Sequence, residues 1–225
     1  MKHITLIIYL LFTTIFISHA QTDKPATWGE VSLEELSDGY LQDKYPEAEA
    51  VILSSYGEYT VNHITTALKK QIRIKVLSKE GLDYGNVQID FLRLGRNQKC
   101  IAVEAASYNL VEGKIVKAEL KPTNLFLEST KTESSLSFAI PKVKVGSIIE
   151  YTYTIESINN VIPPIWYFQS TIPTLRSEFR IKKFATPYAG YSIMLEGAQL
   201  NKKYSAPNKK IKNWVLHDIP ALPEV

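Results

Sequence analysis

Very few side chains in this sequence could act together as a nucleophile and a base. Cys100 is the single cysteine, and beyond residue 20 the chain holds two histidines, His63 and His217, the second followed by Asp218. A reactive thiol needs a neighbouring base or a helix N-terminus that lowers its pKa. Cys100 begins a predicted strand, and no helix is predicted to start there. We therefore expect a packed thiol, and a cysteine-dependent enzyme remains only an alternative.

No metal, cofactor or nucleic-acid site is predicted. Two distant histidines, one cysteine and no cluster of acidic residues give no ligand set. The sequence has no glycine-rich phosphate loop, no G-x-S-x-G elbow and no H-E-x-x-H motif. The net charge of +3, or +2 without Lys2, is close to neutral and indicates no nucleic-acid partner. We predict no catalytic residue, no metal ligand and no cofactor.

Aromatic residues are the strongest hint of a binding surface. Trp166 and Tyr167 lie in a W-Y-F run and, with Tyr151 and Tyr153, could stack against sugar rings on a sheet face. The same residues alternate with polar ones, as residues of a sheet core do. Trp166 and Tyr167 are therefore candidates for contact with a ligand or partner, and core packing is the alternative interpretation.

Glu150 is the third candidate, because it interrupts the most strand-like run of the chain, K-V-K-V-G-S-I-I-E-Y-T-Y-T-I-E. Ile149, Tyr151 and Tyr153 fall on one face of this strand and Glu150 on the other. Gly146 separates the strand from what precedes it. We expect the three apolar residues in the core and Glu150 as a surface or ion-paired carboxylate.

The elements that position these residues are mostly strands. Ser32 and Glu35 have capping-box spacing and predict a helix of about two turns that Gly39 can close. Strands are predicted at Ala50–Ser54 and Tyr59–Ile64, separated by a turn at residues 56–59. In Leu68–Leu77 the residues that alternate inward are interrupted by Lys70, while Gln71, Arg73 and Lys75 are predicted to face outward.

About a dozen short strands with one helix predict an all-β protein, an antiparallel β-sandwich with one short N-terminal helix. Residues 1–20 are predicted to form a signal peptide, because a basic start is followed by the apolar run Ile4–Ile17 and by small residues at Ser18 and Ala20. We expect cleavage between Ala20 and Gln21, export to the periplasm or the cell exterior, and no transmembrane helix afterwards.

Six stretches together resemble the DUF3857 family, a domain of unknown function from exported bacterial proteins. They are Pro46–Leu53, Arg73–Gly81, Tyr108–Lys117, Phe138–Tyr153, Trp166–Pro173 and Trp214–Pro220. The predicted organisation is a signal peptide (1–20), an N-terminal segment with a short helix (21–45), the DUF3857-like β-sandwich (46–222) and the start of a linker or a truncated end (223–225).

The resemblance implies a β-rich module that typically precedes a transglutaminase-like, papain-fold domain. That partner domain would carry a Cys-His-Asp triad and would lie beyond Val225, so no catalytic residue is transferred to this chain. We expect a non-catalytic module that binds or positions a substrate, or packs on a transglutaminase- or protease-like domain or another envelope protein. The alternative is a carbohydrate-binding module of the cell envelope.

Overall fold

The computed structural model describes residues 24–223 except for residues 63, 94–96, 159–163, 184–203 and 209–210, so the predicted signal peptide and His63 lie outside it. The described residues form one α-helix, α1 (Leu33–Leu36), and eleven strands. The strands are β1 (Ala50–Val61), β2 (Thr65–Val76), β3 (Asn86–Leu92), β4 (Lys99–Val111), β5 (Lys114–Glu119), β6 (Phe126–Ser129), β7 (Glu133–Ala139), β8 (Ile148–Ile158), β9 (Thr174–Lys183), β10 (Tyr204–Asn208) and β11 (Ile211–Ile219).

Two sheets of unequal width make up the domain. The large sheet has eight strands in the order β10-β11-β9-β1-β2-β8-β4-β5, and the small sheet has three in the order β3-β7-β6. All paired strands are antiparallel except β1 and β9, which run parallel. The predicted all-β, sandwich-like fold is therefore confirmed, and the parallel pair is its one departure from an antiparallel arrangement.

The small sheet packs against one face of the large sheet, which we call the inner face. In β3 every second residue is buried, and Val87, Ile89 and Phe91 point into the core. Ile74 of β2 and Ile149 of β8 meet them from the large sheet. The period-2 pattern of the sequence thus becomes a layer of apolar side chains, each contributing about 1.5–3 kcal/mol on full burial.

The opposite, outer face of the large sheet is covered by the N-terminal segment, residues 24–49. Leu36 of α1 is buried there against Val51, Leu53 and Ile148. The start of β1 is therefore covered on both of its faces. This double burial explains why its sequence begins with the unbroken apolar run A-V-I-L instead of an alternating pattern.

An ion pair holds the N-terminal segment to the outer face. Arg73 and Glu150 lie opposite each other on β2 and β8, and Arg73 Nε donates to Glu150 Oε1 at 2.7 Å. The guanidinium also donates to Glu35 Oε1 at 3.0 Å and to the Thr27 carbonyl at 2.8 Å. The Gly29 amide donates to the other Glu150 oxygen at 2.9 Å. The Arg73–Glu150 pair therefore links strands β2 and β8 to two parts of the N-terminal segment, residues 27–29 and Glu35.

The capping box at α1 is confirmed. Ser32 Oγ accepts the Glu35 amide at 3.1 Å, and Glu35 Oε2 accepts the Ser32 amide at 2.8 Å. The predicted length of two turns was wrong, because Ser37 has an extended backbone (φ −61°, ψ 148°) and ends the helix after one turn. Glu35 serves both the helix cap, through one carboxylate oxygen, and Arg73, through the other.

Two further expectations need correction. The predicted turn at residues 56–59 was wrong, because β1 is continuous and Gly57 pairs with Lys70 of β2 and with Phe179 of β9. Arg73 and Lys75 do lie on the outer face, but both are buried there instead of facing water. The reason is the N-terminal segment, which the alternation within β2 cannot reveal.

Replacing Glu150 by glutamine should destabilise the protein by about 3 kcal/mol, because it leaves the Arg73 guanidinium buried without its closest counter-charge. The free energy of unfolding in urea measures this. The matched control is Glu128→Gln on the exposed strand β6, which should change that free energy by less than about 0.5 kcal/mol. Equal stability of the two variants would contradict a structural role for the ion pair.

The stability should also depend on the pH through Lys75. This side chain is buried, donates to the Gly146 carbonyl at 2.9 Å and to the Ser37 carbonyl at 3.3 Å, and burial lowers its pKa from 10.5 to about 8. Between these two pKa values the unfolded chain holds the proton and the folded chain does not, so stability rises with pH.

From pH 7.5 to 9.5 the free energy of unfolding of the wild type should therefore rise by about 1–2 kcal/mol relative to that of Lys75→Met. Urea unfolding of both proteins across this range measures the difference, and other titrating groups cancel in the comparison. Parallel pH curves for the two proteins would contradict the prediction.

Candidate functional site

The residue that stands out on the inner face is Lys70. It lies on β2 between Gly57 of β1 and Tyr153 of β8, in register with both. Its neighbours on the same face of β2 include Ile72, which packs against the apolar core. An ammonium group thus occupies a position where the strand pattern calls for an apolar side chain.

Aromatic rings surround the Lys70 ammonium. Its Nζ lies 5.2 Å from the centre of the Trp166 ring and 6.0 Å from that of Tyr153. Both distances allow cation–π attraction, which is worth about 0.5–2 kcal/mol depending on exposure to water. No hydrogen bond or ion pair of the Lys70 side chain is found among the described residues. Burial lowers the pKa of Lys70, because little in its surroundings replaces the water that it has lost.

Trp166 is held in place by packing. Its ring stacks on Phe179 with the ring centres 5.2 Å apart and a 16° angle between the planes, and its indole Nε1 donates to Ser177 Oγ at 3.3 Å. This position of the Trp166 ring requires a glycine at residue 57, since a Cβ there would lie 2.3 Å from Trp166 Cζ3. The conformation that puts Trp166 over Lys70 therefore depends on a glycine in the middle of β1.

A cleft of about 270 Å³ opens beside Lys70, which we call the Lys70 cleft. It lies where β3 of the small sheet meets the inner face of the large sheet. The residues that line it are Tyr59, Thr66, Leu68, Lys70, Gln88, Ile89, Asp90, Gln98, Tyr153, Ile155, Ser157 and Pro164. The large sheet contributes apolar and aromatic side chains, two hydroxyls and the Lys70 ammonium, and amides and one carboxylate are contributed from the side of the small sheet.

The predicted site residues are not brought together. Glu150 has no exposed surface and belongs to the ion pair on the outer face, on the other side of the sheet from Lys70. Trp166 faces the inner core, whereas the next residue, Tyr167, is 76% exposed. Of the three candidates, only Trp166 contacts the Lys70 site.

The possible cysteine chemistry finds no support in the geometry. Burial raises the pKa of the Cys100 thiol to about 11, so the thiol is protonated and weakly nucleophilic at neutral pH. His217 lies on β11, five strand spacings from the strand of Cys100, which is roughly 24 Å at about 4.8 Å per spacing. These two residues cannot act as a nucleophile and its base.

No group of three or more histidine, cysteine, aspartate or glutamate side chains in the described part could hold a metal ion. In the same part of the chain, no helix has the length and apolar character needed to cross a membrane.

Sequence reasoning missed Lys70 as a site residue, although the signal was present. A lysine at an inward position of an otherwise alternating strand is an exception to the pattern, and such exceptions occur at functional or strained sites. The sequence did not reveal which residues surround Lys70, because Gln88 and Asp90 belong to β3 of the small sheet.

Comparison with known families now identifies the fold. The family described as "Domain of Unknown Function with solved-structure structure (DUF3857)" matches residues 65–223. The chain belongs to the DUF3857 family. The matched region contains β2 and β9 but not β1, the strand that lies between them in the large sheet. In this DUF3857 protein the family region is therefore completed by β1.

Among solved structures, one similarity supports the same architecture. A crystal structure described as that of "a putative protease from Parabacteroides distasonis ATCC 8503" superimposes with a TM-score of 0.62 at 14% sequence identity, covering 79% of this chain and 37% of that chain. An M1 zinc metallopeptidase from Deinococcus radiodurans gives a TM-score of 0.30 at 8% identity, covering 76% of this chain and 39% of that chain, which is too low to inform the fold. This chain thus spans well under half the length of these proteins. No curated protein sequence matches it significantly.

Adding one methyl group at the Lys70 site should be costly. Gly57→Ala should lower the free energy of unfolding by about 1–3 kcal/mol, because the new Cβ collides with the Trp166 ring. In a Trp166→Leu background the same substitution should cost much less, since the colliding ring atoms are gone. Urea unfolding of the four proteins measures both costs. An equal cost in both backgrounds would contradict the contact.

Proposed function

We propose that this DUF3857 protein is a non-catalytic binding module that positions a peptide substrate for a transglutaminase- or protease-like domain, or packs on such a domain. The observation that carries the proposal is the similarity to a fold that makes up 37% of a longer chain described as a putative protease. A fold that occupies only part of a longer enzyme is well suited to an accessory role beside a separate catalytic domain.

The chemistry of the described residues is consistent with binding and unfavourable to catalysis. The Cys100 thiol has a raised pKa, and His217 lies far from it. The Lys70 cleft, in contrast, combines apolar and aromatic side chains with an equal number of polar ones, which can orient a small polar ligand.

We also propose that the protein works outside the cytoplasm, in the periplasm or beyond it. The basis is the N-terminal sequence alone, with cleavage between Ala20 and Gln21. A partner domain or another envelope protein would meet the module in that compartment.

A carbohydrate-binding role is the second candidate, and one observation favours it. Tyr167 is 76% exposed beside Ile165, which is 77% exposed, so an aromatic side chain is available for stacking on a sugar ring. Trp166 is less suited, because its ring already contacts Phe179, Lys70 and Gly57. A glycan-binding role would therefore depend on Tyr167.

The test is a binding and turnover experiment with the purified protein and a mixture of unmodified peptides from a protein digest. We expect some peptides to be retained and to be recovered intact by mass spectrometry, without new cleavage sites or cross-links. Cleaved or cross-linked peptides would contradict a non-catalytic role, and failure to retain any peptide would contradict peptide binding. Binding on a glycan array that Tyr167→Ala abolishes would support the carbohydrate candidate instead.

A further inference from the structure

The side chain of Lys70 is the starting point, because no described residue forms an ion pair with its ammonium. It is half-buried, its ammonium contacts the faces of Trp166 and Tyr153, and no carboxylate or carbonyl of the described residues accepts a hydrogen bond from it. An ammonium has three donors, and aromatic faces satisfy them only weakly. Withdrawing a cation from water without a hydrogen-bonding partner is costly.

The other buried cations of β2 are treated differently. Arg73 has carboxylate partners in Glu150 and Glu35, and Lys75 donates to two backbone carbonyls. The described residues therefore supply acceptors to the cations on the outer face of this strand and none to Lys70. A group that enters the Lys70 cleft from outside can provide the missing acceptor.

We propose that the Lys70 cleft binds the carboxylate group of a peptide, with the Lys70 ammonium as its counter-ion and donor. The inference rests on the proposed function, since it specifies the chemical group that the module recognises in its substrate. The adjoining apolar side chains, Leu68 and Ile155, would contact the aliphatic part that carries the carboxylate.

The charge balance of the cleft favours a single negative charge. Lys70 is the one cation among the lining residues, and Asp90 contributes a negative charge from the small sheet. The Asp90 carboxylate accepts a hydrogen bond from the side-chain amide of Gln88 at 3.1 Å. A phosphate dianion would meet one ammonium and one repelling carboxylate, whereas phosphate sites ordinarily supply an arginine fork or several donors. A monovalent carboxylate fits the donors that are present.

The size of the cleft limits how much of a ligand it can enclose. About 270 Å³ accommodates one or two residues of a peptide and not a folded surface. The carboxylate can come from the C-terminus of a peptide or from an acidic side chain within it. Both present the same chemistry to Lys70, and suitable peptides distinguish them.

The experiment uses three synthetic probes on the intact protein: a short acetylated peptide ending in leucine as a free acid, the same peptide as a C-terminal amide, and the amide peptide with one internal glutamate. Binding is measured by calorimetry and by tryptophan fluorescence, because Trp166 contacts Lys70. We expect the free acid to bind at least tenfold more tightly than the plain amide. The glutamate peptide reports whether a side-chain carboxylate also suffices.

Lys70→Met should weaken binding of the free acid at least tenfold and leave binding of the amide unchanged. The matched control is Lys69→Met, which removes the same charge from the exposed opposite face of β2 and should leave the affinity unchanged. The melting temperature of Lys70→Met should stay equal to that of the wild type or rise, because a poorly compensated charge is removed. A large fall would instead assign Lys70 a structural role and overturn the proposal.

Asp90→Asn gives an independent check. It should raise the affinity for the free acid a few-fold, because it removes a negative charge near the bound carboxylate. A decrease would mean that Asp90 assists binding, and it would contradict the arrangement. Equal affinity for acid and amide would overturn the carboxylate assignment, and so would tighter binding of a fourth probe, the amide peptide with one internal phosphoserine. These outcomes leave the non-catalytic role intact, which only cleavage or cross-linking of peptides contradicts.

Discussion

The arrangement of this protein depends on the ion pair between Arg73 and Glu150. The two residues lie on adjacent central strands of the large sheet, and the pair is shielded from water by the N-terminal segment. Burying both charges is favourable only because the remaining donors and acceptors are also satisfied. Glu35, the Thr27 carbonyl and the Gly29 amide complete that set. The N-terminal segment is therefore required by the charges beneath it and is part of the fold.

This constraint makes the two faces of the large sheet different. The outer face carries Arg73, Glu150 and Lys75, whose partners are supplied by neighbouring parts of the chain. The inner face is mostly apolar, but three strands of the small sheet, about 14 Å wide at 4.8 Å spacing, cannot cover eight. Trp166 and Phe168 cover part of the remainder by packing on Phe179 and its neighbours. The Lys70 cleft lies along the boundary of the small sheet, where the described residues leave part of the inner face uncovered.

The features that sequence analysis predicted correctly are those that depend on local pattern. The capping box at Ser32 and the alternation in β8 follow from spacing, and both are present. The features it missed depend on contacts between residues that are far apart in the sequence. In the sequence Gly57 suggests a turn, but in the structure a glycine is required there because the Trp166 ring occupies the space of a Cβ. Glu150 was correctly expected to be paired or exposed, but its partner lies 77 positions away in the chain, on β2.

Lys70 illustrates the same limit and adds an argument about function. On the sequence it is one irregular position in an alternating strand, and its meaning depends on Tyr153, Trp166 and the residues of β3. Other elements supply acceptors for Arg73 and Lys75 of the same strand, whereas none is found for Lys70 among the described residues. Stability alone would favour methionine or leucine there, since either fills the space without a charge. A costly charge beside a cleft of the inner face is therefore the physical reason for proposing a ligand that neutralises it.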